Sequence, residues 1–312
     1  MTAFLVDRSA RLRMTFAGAK AKESLGGLVT NDVTALTPGH GQRAVALTPK
    51  GRVIAFIRVF DRGLDLLVDC EAASAEAFVG MIRKFVNPRG AKYQVLGDEM
   101  GCLGVHGAQA AKLLAPLLPL ALETLDALPM HGVWSGESGD LTVVRTDELV
   151  APGFDIFASP ARLAELRAAL GAQGVHEIDA DALEVQRVER GLPRFGVEMD
   201  DETIPQEANL DAHGAISFTK GCYTGQEVVA RIHFRGHVNR HLRWLSAAAP
   251  VPRGAAVLDA DGKEVGDVRS SVVSGERGPL AIAMIRREIV PGSELRVRTA
   301  GGEIAATMAV IG

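Results

Sequence analysis

Aromatic side chains make up only 5% of this 312-residue chain, with two Trp and two Tyr, and no stretch carries the interleaved aromatics of a sheet-based RNA reader. A module that reads RNA sequence through such a motif is excluded. Cysteine is equally sparse: Cys70, Cys102 and Cys222 are odd in number, far apart and without a C-x-x-C pair. That spacing excludes a disulfide framework and a zinc or cluster site built by this chain alone, and it fits a reducing, cytoplasmic compartment. No apolar run reaches the roughly 18 to 20 residues that a spanning helix needs. Asp7, Arg8, Arg11 and Arg13 interrupt the first stretch, so neither a membrane span nor a signal peptide is expected. Neither sign of charge dominates, with 34 Lys and Arg against 38 Asp and Glu, so no global field draws the molecule to polyanions. Internal repeats and low-complexity tracts are absent as well.

What is present is an ordinary globular composition, 47% hydrophobic and 23% charged, at a length that suits two or three domains. Phe16 to Leu28 reads as a short helix closed by Gly26-Gly27. Arg43 to Leu47, Arg52 to Phe60 and Leu64 to Asp69 read as an antiparallel meander joined by Thr48-Pro49-Lys50-Gly51 and Asp61-Arg62-Gly63. Ala73 to Val86 has helical spacing, and strand and helix patterns then recur to Leu170. The mixture predicts an α+β body over residues 1–240, with two subdomains. From His241 to residue 312, short strands such as Val265 to Val273 and Leu280 to Ile285 alternate with Gly and Pro turns, which predicts a small all-β barrel.

Two local patterns carry chemistry. In Lys220-Gly221-Cys222-Tyr223-Thr224-Gly225-Gln226-Glu227, Thr224 and Glu227 have the spacing of a capping box that starts a helix, and the glycines permit a tight turn. Cys222 would then precede a helix N-terminus with Lys220 nearby, and both favour a thiolate; an ordinary glycine loop with a small apolar Cys is the plainer alternative. The second is Asp179 to Arg190, a helix with Asp181 and Glu184 at capping-box spacing and Gly191 as its stop. Glu189 falls on the face of Ala182, Val185, Val188 and Leu192, where a carboxylate needs a ligand or an internal partner such as Arg187, Arg190 or Arg194. Arg231, His233, Arg235, His237, Arg240, His241 and Arg243 form a local basic stretch without an acidic residue, suited to carboxylates or phosphates or simply to solvent. Its histidines lack the acidic partner of a metal motif, and no metal site is expected.

Lys220 to Glu227 resembles the K-G-C-Y-x-G-Q-E signature of the YgfZ family, relatives of the glycine-cleavage T-protein. Leu28 to Val33 resembles that family's T-N-D-V segment, and Arg187 to Gly191 with Pro193 to Gly196 resembles its L-R-x-E-x-G region. The resemblance spans most of the chain. It implies a ring of two α+β folate-binding subdomains and a C-terminal all-β barrel around a site for tetrahydrofolate or a one-carbon derivative. It implies Glu189 as pterin anchor, Asn31, Tyr223 and Arg231 as further folate contacts, Cys222 with Lys220 as a functional thiol at the mouth of the same cavity, and Gly221, Gly225, Gln226 and Glu227 as shaping residues. The implied role is maintenance of iron-sulfur proteins and linked tRNA modification, with iron-sulfur client or assembly proteins as partners and tRNA as an indirect one. The alternative is a folate-dependent aminomethyltransferase working with a lipoyl carrier protein. Two features of T-proteins are missing: an aspartate after the strand corresponding to Leu64–Asp69, and the R-x-G-Y-T-G-E loop, replaced here by Arg145 to Gly153.

Overall fold

Alternation of buried and partly buried residues, not helical spacing, governs the start of the chain. A computed structural model, which describes residues 3–311, forms β1 (Phe4–Asp7) and β2 (Leu12–Ala17), then α1 (Ala21–Gly26). The helix expected from Phe16 is therefore shorter. Met14 and Phe16 point to one side of a strand, and Gly18 at φ 108° turns the chain before α1. The meander forms as expected in β3 (Gly41–Leu47), β4 (Val53–Asp61) and β5 (Leu66–Cys70). α2 (Ala75–Phe85) follows, and β6 (Lys92–Leu96) completes an antiparallel sheet in the order β3-β4-β5-β2-β6.

A second sheet draws β1 back in. β7 (Gly101–His106) is followed by α3 (Ala110–Leu114), α4 (Leu122–Ala127), β8 (Val133–Ser135), β9 (Thr142–Thr146), β10 (Gly153–Ala158) and α5 (Pro160–Ala172), giving the order β1-β7-β10-β9-β8. The period of two in each strand decides what lies between the sheets. In β4, Ala55, Ile57 and Val59 join the apolar cluster under α2, whereas Phe60 faces the second sheet. In β10, Phe154, Ile156 and Ala158 pack beneath α3 and α5, and Phe157 meets Phe60 with ring centres 5.8 Å apart. Each such buried aromatic contributes about 1.5–3 kcal/mol relative to exposure.

After α6 (Ala180–Arg190) the chain runs through turns to α7 (Gln226–Arg235). It then enters β11 (Arg240–Ala247), β12 (Ala256–Leu258), β13 (Glu264–Ser274), β14 (Gly278–Arg286), β15 (Glu294–Thr299) and β16 (Gly302–Val310). These six strands close a barrel in the order β11-β14-β13-β12-β15-β16. The fold is α+β with an all-β barrel, as predicted. One apolar cluster, including Val45, Val188, Tyr223, Leu242 and Ile282, fastens the first sheet, α6 and the connection before α7 to the barrel. No helix among the described residues is long and apolar enough to cross a membrane.

Candidate functional site

The connection from α6 to α7 holds the signature octet, and its backbone is tied to the T-N-D-V segment. Thr30 exchanges bonds with two partners: its N–H donates to the Val45 carbonyl, and its hydroxyl donates to the Ala215 carbonyl at 2.6 Å. Ser217 N–H donates to the Thr30 carbonyl, and Thr224 N–H to that of Gly27. The Asn31 amide donates to the carbonyls of Arg43 (2.8 Å) and Gly214 (2.9 Å), so both of its hydrogens are taken inside the protein.

Lys220 is the centre of this fastening. Its ammonium donates to the carbonyls of Gly26, Val29 and Asn31 at 2.5, 2.7 and 3.0 Å, and lies 4.9 Å from the centre of the Tyr223 ring. An ammonium has three hydrogens, and all three are taken, so none is left for the Cys222 sulfur. Desolvation draws the Lys220 pKa down to about 8, with Asp32 opposing. Tyr223 is buried, which pushes its phenol up to about 12. Cys222 itself is exposed, whereas Cys70 and Cys102 are buried and their thiols are pushed up by desolvation, Cys70 to about 11.

The cap differs from the one the spacing predicts. Gly225, not Thr224, is the N-cap of α7, at φ 83°, and no side chain caps the helix. A Cβ on Gly225 would lie 2.6 Å from the Thr48 carbonyl, so the β3–β4 turn demands glycine at the capping position, one residue beyond the expected Thr224. Helix formation starts at Gln226, four residues after Cys222, and Glu227 stays exposed in the first turn. Gly221 has open space around it.

α6 is capped by Asp179, whose side chain accepts from Ala182 N–H, rather than by the expected Asp181 and Glu184 pair; Gly191 ends it at φ 72° as expected. Glu184 instead pairs with Arg187 and Arg194. The fully buried pair on this helix is Arg187 and Val188, with Glu189 half-buried beside them. Arg187 donates to the Leu192 carbonyl and to Glu198, which is 0% exposed; despite desolvation, Glu184 and Glu198 raise its pKa. One oxygen of Glu189 accepts from the hydroxyl of Ser274 at the end of β13, and the other has no hydrogen-bond partner among the described residues. Trp244 donates to the Val188 carbonyl at 2.8 Å, and Arg277 lies over the indole. Glu189 thus sits at the seam between α6 and the barrel.

The basic stretch divides. Arg240 pairs with Glu207, and Arg243 and His241 are partly buried in β11, whereas Arg231, His233 and Arg235 are exposed on α7. The three histidines therefore do not share one helix face.

Sequence reasoning missed the most charged interior region. Between the sheets, Arg58 on β4 donates to Asp69 on β5 and to Asp155 on β10, both 0% exposed. Arg11 joins Asp69, Arg8 lies 3.2 Å from Asp155, and Arg43 joins Glu148 and Asp147, which also accepts from Arg190. Burial alone would raise the Asp69 pKa, but Arg11 and Arg58 hold it at about 2; arginines likewise lower Asp155 and Glu148. The available signal was a charge inside each apolar strand: Ile57-Arg58-Val59, Val68-Asp69-Cys70 and Phe154-Asp155-Ile156. A cavity of about 160 Å³ opens beside this network, lined by Arg8, Arg11, Phe56, Arg58, Glu148 and Arg187 among others. Neither Glu189 nor the octet lines it; Glu189's helix and Tyr223 meet instead in the apolar cluster around Val188.

Residues 1–220 match the model of the GCVT N-terminal domain, and residues 239–310 match that of the CAF17 C-terminal β-barrel domain. The chain belongs to the GCVT family. Among relatives of this family member, the tRNA-modifying protein YgfZ of Klebsiella pneumoniae is 28% identical over 305 residues, covering 93% of this chain and 87% of that protein. YgfZ of Yersinia pestis is 27% identical over 297 residues, 91% and 85% of the two chains. An aminomethyltransferase of Nostoc is 26% identical over 306 residues, 95% of this chain and 81% of the relative. The crystal structure of aminomethyltransferase T from Bartonella henselae has the same fold, with a TM-score of 0.89 over 99% of this chain and 86% of that one, at 22% identity.

Proposed function

We propose that this GCVT family member is a tetrahydrofolate-binding accessory factor for iron-sulfur protein assembly or repair, with linked tRNA modification, acting in the cytoplasm. The observation that carries the reading is Glu189: a half-buried carboxylate at the α6–barrel seam, held by Ser274 through one oxygen and free at the other. Such an acceptor suits the amino and ring N–H edge of a pterin. Tetrahydrofolate, when bound, carries one-carbon units. Arg231, exposed on α7, is available to a carboxylate tail. Asn31 and Tyr223 steady the neighbouring backbone: the first holds two carbonyls, and the second is packed beneath the Lys220 ammonium.

Cys222 supplies the thiol. It is exposed on a turn whose base is clamped by Lys220, so the sulfur is presented without being flexible at its root. As a thiolate it attacks one sulfur of a client disulfide, forming a mixed disulfide and releasing the client's other sulfur as thiolate. Full recovery of iron-sulfur enzyme activity in a null strain carrying Cys222→Ser would remove the thiol from the mechanism.

Titration with tetrahydrofolate tests the central reading. A charge-assisted hydrogen bond contributes about 1.5–3 kcal/mol, so Glu189→Ala should weaken binding about ten-fold or more. No binding by the unaltered protein overturns it. The likeness to the Nostoc aminomethyltransferase supports a second reading, aminomethyl transfer to folate. Against it stand the carboxylates inside the substituted loop, since Asp147 and Glu148 are both engaged by Arg43, and Asp147 by Arg190 as well. Release of ammonia from an aminomethylated carrier protein, with methylenetetrahydrofolate formed, would establish that second reading.

A further inference from the structure

Phe234 on α7 is 65% exposed, more than any other large apolar side chain among the described residues. One exposed apolar residue is ordinary, but this one belongs to a cluster. The ring of His233 lies flat on Phe218, with centres 3.5 Å apart and planes inclined by 11°. Phe234 stands edge-on to His233 at 4.7 Å and to Phe218 at 6.4 Å. Phe218 lies four residues before Cys222, so the rings join α7 to the connection that carries the exposed thiol. Arg231 and Arg235 are exposed on the same helix, one turn apart, and neither forms an ion pair among the described residues. From Val228 to Arg240 there is no acidic residue.

We infer that this face of α7 is a docking surface for single-stranded RNA, in which Phe234 and His233 offer stacking surfaces to bases and Arg235 meets a phosphate. Three adjacent rings flanked by unpaired guanidinium groups complement alternating bases and phosphates. An acidic peptide would use the arginines and leave the rings without a partner of matching shape. The recognition is tolerant of sequence, because every base presents a π-face. The net charge of −4 means that attraction to a polyanion must come from a local patch such as this one. The inference rests on the rings and Arg235 rather than on folate binding, and goes beyond it, since it gives the protein a direct RNA contact on α7.

The test measures binding of the full chain to unmodified tRNA and to polyuridylate over a range of salt, with polyglutamate as a polyanion without bases. Both RNAs should bind and polyglutamate should not compete at equal charge. Phe234→Ala should weaken RNA binding about ten-fold at fixed salt without changing the salt slope, as loss of one stacked base does. Arg235→Ala should lower the slope of log K against log salt by about 0.7, the contribution of one single-strand phosphate contact. Thermal unfolding shows whether the variants remain folded, and tetrahydrofolate titration of Phe234→Ala should match the unaltered protein. Absence of RNA binding at low salt overturns the inference. So does equal competition by polyglutamate, or RNA binding that both substitutions leave intact.

Discussion

Arg58→Met is the sharpest probe of how the two sheets are held together. The side chain is 3% exposed and donates to Asp69 on its own sheet and to Asp155 across the interface. Methionine matches much of its volume, so the change removes charge and hydrogen bonds more than packing. Breaking a buried pair by deleting one partner costs about 3–5 kcal/mol, because the remaining carboxylates are left under-neutralised. Arg11 still serves Asp69 with a hydrogen-bonded pair, but Asp155 keeps Arg8 as its one charged partner near neutrality, with the largely neutral His106 3.9 Å away, so the larger penalty falls at Asp155. For a folding unit of this size, about 2–4 °C of Tm accompanies each kcal/mol, and the melting temperature should fall by about 6–20 °C. The pH dependence checks the cause. Asp69 is depressed to about 2, so its stabilising contribution is complete above its unfolded pKa near 3.8 and is lost as pH falls through about 2. In the variant the carboxylates protonate at higher pH, which relieves the unpaired charge. The deficit should therefore be largest near neutrality and shrink toward pH 3. Urea unfolding at several pH values reads it out; a deficit below about 1 kcal/mol at pH 7, or one that does not shrink in acid, refutes the electrostatic account.

Other changes separate the parts of the site. Gly225→Ala forces a side chain into the left-handed region against the Thr48 carbonyl and should destabilise by about 1–3 kcal/mol, whereas Gly221→Ala, in open space, should stay within about 0.5 kcal/mol; chemical denaturation compares the two. His106, His131 and His213 are lowered to about 4 by burial and nearby arginines. The unfolded chain therefore binds protons near pH 6.5 that the folded one refuses, so stability should fall between pH 6.5 and 4 by up to about 1.4 kcal/mol per pH unit for each histidine. His213→Asn should remove one such increment from the slope, and an unchanged slope would refute the assignment.

The sequence announced elements wherever local chemistry and tertiary packing agree. The β3–β4–β5 meander follows from its turn residues, and α6 stops at Gly191 because a left-handed residue is needed there. The barrel is legible from its turn spacing, although β16, rich in small residues, is not. Thr224 failed as a cap because the decisive neighbour, the Thr48 carbonyl, comes from a distant hairpin. Helical spacing puts Glu189 at the centre of α6's buried face, but Arg187 and Val188 occupy that place: Glu198, beyond the end of the helix, gives Arg187 the partner that lets it be buried. The ion network was hidden for the same reason. A charge in an apolar strand looks like an interruption until the opposite charge on another sheet is known.

The Lys220 clamp also sets an order of events at the ribosome. Its ammonium is caught by carbonyls of Gly26, Val29 and Asn31, residues made 194, 191 and 189 positions earlier. Those acceptors lie beside strands of the first sheet, which can assemble while the rest of the chain is still being synthesised. The thiol turn cannot take its final shape until that platform exists. Damage to the first sheet would thus surface as a misplaced Cys222, so the accessible sulfur reports on the integrity of a segment translated well before it.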